Sequence, residues 1–533
     1  MADRLGLPAS SPETAAGWSV RTLVPPAALV GANGMRIGPD GDLYVAQAFG
    51  SQLSAVDIAT GATRVVSAAD GLIVAPDDVA FDSHGNLFVT EVMSARVSAL
   101  RPNGAVDVIA ADVPVANGIT VHADRIFMSE FNPEGRILEL DPQGGQPRQI
   151  ASGLMMPNAL CMGPDGMLYF PLVPLGEVWR VSPDGGQPER VIGGLDIPTA
   201  VKFDPAGRLF VVESGSGRIT RIDIAAQTCI LHATVAYGID NFAFADSGAM
   251  YVSHFTDGEI VEVAPSGAQR VVVAGGMAGP YGMCAGNDGT IVVADGMSFA
   301  RVDPYGRVDR PAMLLQHGFP GFIRGVAVTA SGETVFTNSA GQCARYHPGG
   351  EAQILAEGLD RAMAVAVAAD GATYVCDSGA GRIVAIASDG TTRTAFAGLD
   401  RPVGLAVADD GGLFVSEAGA GALVHLSHLG RSVVLSGLDD PHGVGVLDGQ
   451  PVVLDRGSGT LHLRRADGMV EMLASGLPAG TDGGMAPHVL PGIAGLMPGP
   501  LLPFADIAVL SDGTIAVGGD RSGAIIAVSR RAA

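Results

Sequence analysis

Lysine is almost missing from this chain: Lys202 is the only one in 533 residues. Lys and Arg together number 32 against 55 Asp and Glu, a formal charge of −23. Proteins that neutralise nucleic-acid phosphates need basic patches, so no nucleic-acid partner is expected. Charged residues make up only 16 % of the chain and aromatics only 5 %. Long apolar runs are also lacking. The longest reach about five to seven residues, far below the roughly 20 of a membrane-spanning helix, and no membrane partner is expected. Five cysteines, Cys161, Cys229, Cys284, Cys343 and Cys376, are an odd number without CxxC spacing. That argues against a disulfide framework and a structural zinc site. They read as small buried hydrophobes in a reducing compartment. The opening Met1-Ala-Asp-Arg-Leu-Gly6 lacks the pattern of a secretory signal, and a cytoplasmic protein is expected.

What the chain has in plenty is glycine, 75 residues, and apolar residues, 47 %. The apolar content excludes disorder. Glycine recurs inside a repeat. Three copies show it: Asn33-Gly-Met-Arg-Ile-Gly-Pro-Asp-Gly-Asp-Leu-Tyr-Val45, Asn158-Ala-Leu-Cys-Met-Gly-Pro-Asp-Gly-Met-Leu-Tyr-Phe170 and Val403-Gly-Leu-Ala-Val-Ala-Asp-Asp-Gly-Gly-Leu-Phe-Val415. The residues aligned with Asn33 head twelve copies: Asn33, Asp77, Asn117, Asn158, Thr199, Asp240, Tyr281, Arg324, Met363, Val403, His442 and Ala505. Neighbouring heads are 39 to 44 residues apart until the last step of 63. Short strands joined by Asp-Gly or Ser-Gly turns in units of this length are the pattern of β-propeller blades.

Twelve blades exceed the four to eight of an ordinary ring. The expected fold is therefore all-β, two tandem six-bladed β-propellers, spanning 1–266 and 267–533. The boundary near 266 follows the head residues, which are mostly Asn and Asp in the first six copies and Tyr, Arg, Met, Val, His and Ala in the last six. Trp18–Val24 reads as a surplus outer strand, and the chain ends one strand short. The simplest closure has 18–24 completing blade six and 269–275 completing blade twelve; the alternative pairs 18–24 with the last blade. The extra residues of the last repeat, around 478–500, read as a long loop, either a surface insertion or a lid.

In a propeller, heads converge at one mouth of the central channel, and the ends of the second strands return there. In the first ring this gathers Asn33, Asp77, Asn117, Asn158 and Asp240. Oxygen donors of this kind suit a hard divalent cation, calcium above others. Second-strand ends add Glu91, Glu130, Glu213 and His254 as candidate general bases, beside Gln47. The competing account is local: Asn and Asp often bond nearby backbone, and rim glutamates often pair with arginine. In the second ring His442 in Asp440-Pro-His-Gly443 is the main candidate for chemistry, set against a purely structural ring.

The blade pattern, with its Asp-Gly turn and Leu-Tyr/Phe-Val strand ending in Glu or Asp, resembles the NHL-type repeat. It is also similar to the superfamily of senescence-marker-type gluconolactonases, paraoxonases and strictosidine synthase-like proteins, over residues 18–530. That resemblance implies a channel metal held by head Asn and Asp, which here match Asn117, Asn158 and Asp240, with Asn33 and Asp77 as further candidates. Asn33 and Gln47 stand where these families carry a metal-binding Glu. Virginiamycin B lyases resemble the chain through Asp440-Pro-His-Gly443 alone. The expected function is a metal-dependent hydrolase opening a lactone or small ester. Alternatives are a lyase working through a stabilised enolate, and a non-catalytic scaffold that binds a protein partner.

Overall fold

The computed structural model describes residues 3–347, 350–480 and 485–531, and the chain is nearly all-β. Its strands form four-stranded antiparallel meanders of the β-propeller type. The first meander is typical: Met35–Ile37, Leu43–Gln47, Gln52–Val56 and Thr63–Ser67, paired in sequence order. Its first turn closes at Gly41, whose φ of 87° lies in the left-handed region that favours glycine. The middle strands are buried while Thr63–Ser67 is mostly exposed. Both faces of each sheet pack on neighbours, which is why so little charge is needed.

Two compact units share the chain: Ala28–Gly275, and Met1–Ala27 together with Gly276–Ala533. Among the described residues, the first unit holds six such sheets and the second five, with a sixth widened to five strands by Glu13–Thr14. Within the first unit, the first strand of each sheet packs beside the first strand of the next, and Ile239–Phe244 packs beside Met35–Ile37. A single apolar cluster joins those last two sheets, from Met35 and Leu43 to Tyr251 and Ile260. In the second unit, Ile507–Val509 lies beside Gly282–Ala285 in the same way.

Hydroxyls stitch neighbouring sheets. The side chain one residue before the end of a second strand accepts an N–H from its own sheet and donates to the head carbonyl of the next. Ser129 accepts from Gly118 N–H and donates to the Asn158 carbonyl, each at 3.0 Å. Ser253 accepts from Asn241 N–H and donates to the Asn33 carbonyl at 2.7 Å, linking the sixth sheet to the first. Ser416 repeats the pattern in the second unit, from Gly404 to the His442 carbonyl at 2.6 Å. Close approach of these backbones leaves no space for a Cβ at Gly404, which would collide with the His442 carbonyl.

Closure differs from the simplest expectation. Trp18–Val24 pairs with Ala524–Arg530, from Trp18 opposite Arg530 to Val24 opposite Ile525. Gln269–Val273 pairs with Ile260–Val263, so the sixth sheet completes itself. The physical reason is local. The Ala264–Ala268 turn, with Gly267 at φ 85°, folds 269–273 back at the small entropy of a short loop. That leaves Trp18 to bury itself with Leu454, Leu461 and Val528. Part of the expected 478–500 loop, residues 481–484, lies outside the described residues. The remainder carries a hairpin, Leu490–Ile493 with Met497–Leu501. Among the described residues no helix is long and apolar enough to cross a membrane.

Candidate functional site

The heads of the first unit enter their inner strands from one end. Asn33, Asp77, Asn117 and Asn158 keep only 6 to 8 % of their surface exposed. Asp240 is partly buried. The five are held differently. Asn33 Oδ1 accepts from Ala48 N–H at 3.1 Å, and its amide bonds the Asp240 carboxylate. Asn158 Oδ1 turns onto the N–H of Ala159 at 2.7 Å, the local bond typical of Asn before a strand. Asn117 Oδ1 is buried without a hydrogen-bond partner.

Asp78 is a residue that the repeat reading passed over. It follows the head Asp77 where other copies have Gly34, Gly118 or Ala159. Its Oδ1 accepts from Val79 N–H at 2.9 Å and its Oδ2 from Ile119 N–H at 3.1 Å, bridging two inner strands. Asp77, Asp78 and Asp240 feel one another electrostatically. Burial, then repulsion from Asp240 and Asp78, holds the Asp77 carboxyl well above its usual range. Burial and Asp78 raise Asp240 to about 7, with the Asn33 hydrogen bond and Lys202 opposing. Carboxyls crowded in this way bind protons or cations readily.

The second-strand ends have other occupations. Glu91, fully buried, accepts from Val74 N–H at 2.6 Å, bonds the Ser98 hydroxyl and pairs with Arg96 at 2.7 Å. Glu213 accepts from Asp196 N–H at 2.9 Å and from the Thr220 hydroxyl. Glu130 is clamped by both ends of the Arg136 guanidinium. The His254 ring nitrogens face the carbonyls of Glu259 at 3.4 Å and Ala236 at 3.1 Å. One rule underlies several of these contacts. Gln47, Glu91, Glu213, Asp295, Asp377 and Glu417 each accept from the N–H 17 residues earlier, stapling the incoming segment to its own sheet. The arrangement leaves Glu91, Glu130, Glu213 and His254 engaged with their own sheets, and Asp240 as the titratable head poised near neutrality.

Among the described residues, no three His, Cys, Asp or Glu side chains converge to hold a metal ion. Any oxygen-donor set at the first unit's heads is completed by amides, Asn117 before the others.

In the second unit His442 is 5 % exposed and pairs with Asp440, Nε2 to Oδ2 at 3.2 Å, while Nδ1 accepts from Ala505 N–H at 3.4 Å. Burial lowers the His442 pKa. Burial opposes ionisation of Asp440 too, but His442, Arg456 and Arg401 pull it down to about 2. Both imidazole nitrogens are thus engaged. No model of a known protein family matches the sequence, and no curated protein matches it. Among solved structures, the chain is similar to selenomethionine-substituted virginiamycin B lyase from Staphylococcus aureus, at 14 % identity and a TM-score of 0.39, over 55 % of this chain and 98 % of that one. It is also similar to a chain of a nidogen/laminin complex, at 18 % identity and a TM-score of 0.34, over 37 % and 78 %.

Proposed function

We propose that each unit is a six-bladed β-propeller and that the first is a metal-dependent hydrolase acting on a lactone or small ester. Two observations carry this reading: the mutual repulsion of Asp77, Asp78 and Asp240, and the unpartnered Oδ1 of Asn117, the head of the sheet next to that of Asp77. Mutually repelling carboxyls and an orphaned amide oxygen are a donor set that a hard divalent cation, calcium in our reading, relieves. Asp77 and Asn117 would hold it, with Asn33 and Asn158 flanking. When bound, such an ion polarises a carbonyl oxygen and stabilises developing negative charge. Asp240 then takes a proton from the attacking water, and returns it to the leaving alkoxide as the ring opens. Burial, the leading cause of its raised pKa, favours its taking that proton. Asn33 orients that carboxylate and is a positioning residue. The five unpaired cysteines support a cytoplasmic setting.

The test is elemental analysis of the purified chain, followed by a lactone screen before and after chelation. Bound calcium, and turnover lost on chelation and restored by calcium, are expected. Asp240→Asn should lower kcat/KM by roughly 10²- to 10⁴-fold with metal retained, whereas Asp77→Asn with Asn117→Ala should lose the metal. A wild-type protein without metal and inert to lactones overturns the reading. Unsaturated products in place of hydroxy acids would make Asp240 the base of an elimination.

A further inference from the structure

A second polar feature of the first unit is untouched by that reading. At the far ends of the inner strands, away from the heads, lies a cleft of about 650 Å³ whose lining includes Arg36, His122, Lys202 and Asp246. Lys202, the only lysine, stands on Pro198–Phe203 and is 4 % exposed. Its Nζ donates to the carbonyls of Met35, at 3.4 Å, and of Phe242. An ammonium has three hydrogens to place, and these two carbonyls take two. A neutral amine satisfies both and keeps a lone pair. Arg36, anchored on the carbonyls of Val79 at 3.4 Å and Ile119 at 3.2 Å, disfavours a second cation nearby. Burial and then Arg36 lower Lys202 to about 7, with Asp78, Cys161 and Asp240 opposing.

A strut between carbonyls would explain the burial alone. Arg324 has that role in the second unit, donating to the carbonyls of Ala362 and Pro500. Arginine serves a strut better, with five donors and a permanent charge, and this chain uses arginine everywhere else. A lysine in a cleft is the residue that can become a nucleophile.

We propose that Lys202 captures a small carbonyl compound bearing an anionic group, as an imine, with Arg36 and His122 facing the anion. The amine nitrogen bonds to the carbonyl carbon, and the carbonyl oxygen leaves as water with the two amine hydrogens. No oxidant or reductant is consumed. The inference is independent of the hydrolase reading, since a metal-free protein inert to lactones would still be trapped.

Trapping tests it. The full chain is incubated at neutral pH with glyoxylate or with uncharged propanal, each with cyanoborohydride, and the labelled peptides are located by mass spectrometry. The α-amino group, the other primary amine, is the internal reference. Lys202 should be labelled in the folded protein, with a preference for glyoxylate over propanal of about tenfold relative to that reference, the size of one charge-assisted contact. Arg36→Gln should erase the preference. Lys202→Met, or Lys202→Arg if that variant fails to fold, should leave label on the α-amino group alone. Labelling of Lys202 only after unfolding, or equal labelling by both aldehydes, overturns the proposal.

Discussion

The two units carry the same repeat, yet their head positions have opposite fates. In the first unit five of the six heads are carboxylates or amides, Thr199 being the exception, and three acidic side chains repel one another there. In the second, the chain packs over its own heads. Phe504, fully buried, lies in one apolar cluster with the heads Met363 and Val403, and Tyr281 and Leu502 pack against it. Pro500 accepts from the head Arg324. The N-terminal segment adds Arg4, which donates to the carbonyls of Met277 and Asp520 at 2.9 Å and of Arg521 at 3.0 Å. Asp3 pairs with Arg521 at 2.6 Å. The comparison teaches that one scaffold yields a polar or an occupied mouth according to its head residues and its insertions.

The sharpest break between the units should come from Phe504→Ala. Emptying that packed position should cost the second unit about 3–5 kcal/mol and leave the lactone chemistry proposed for the first unchanged. Urea unfolding can follow each unit separately, because Trp18 belongs to the second and Trp179 to the first. Equal destabilisation of both units would break the comparison.

A smaller effect distinguishes a staple from a base. Glu91→Gln weakens the Arg96 pair and the bond to Val74 N–H, and should lower first-unit stability by about 2 kcal/mol with kcat unchanged. A large fall in kcat at full stability would return Glu91 to the chemistry.

The smallest effect is in pH. Asp240 and, in the second unit, Asp506 are both raised to about 7, chiefly by burial. Each binds its proton more tightly folded than unfolded, so the stability contributed is complete below about pH 4 and is lost as pH rises through 7. Acidifying from pH 7 to 5 should raise the melting temperature of the first unit by roughly 2–4 °C, and that of the second by less, because buried His442 has a lowered pKa and resists the proton that the unfolded chain takes up. Lys202 titrates above this window in the unfolded chain and near its upper edge when folded, so it adds little there. Calcium should flatten the dependence in the first unit alone. Asp506 would not respond, since its oxygens already accept from Ile507 N–H at 2.9 Å and Met283 N–H at 3.2 Å.

Much of the fold was legible because it is local. Pro39-Asp40-Gly41 closes its turn without help from distant residues, and twelve such copies announce repeated four-stranded sheets. The head set was legible for the same reason, since alignment of copies brings Asn33, Asp77, Asn117, Asn158 and Asp240 to equivalent places. Asp78 escaped because a doublet of aspartates looks like one turn former. Arg36 and Lys202 escaped because their carbonyl partners lie 40 or more residues away, although a solitary lysine was a visible signal.

By itself the sequence determined the strands, their turns, the repeat and the chemical kinds of the head residues, all consequences of interactions within about 40 residues. Tertiary structure decided what those side chains touch. It made staples of Glu91 and Glu213, left Asn117 Oδ1 without a partner, and brought Trp18 to Arg530 across the length of the chain. Such pairings depend on which distant backbone arrives alongside, and no local pattern encodes that arrival.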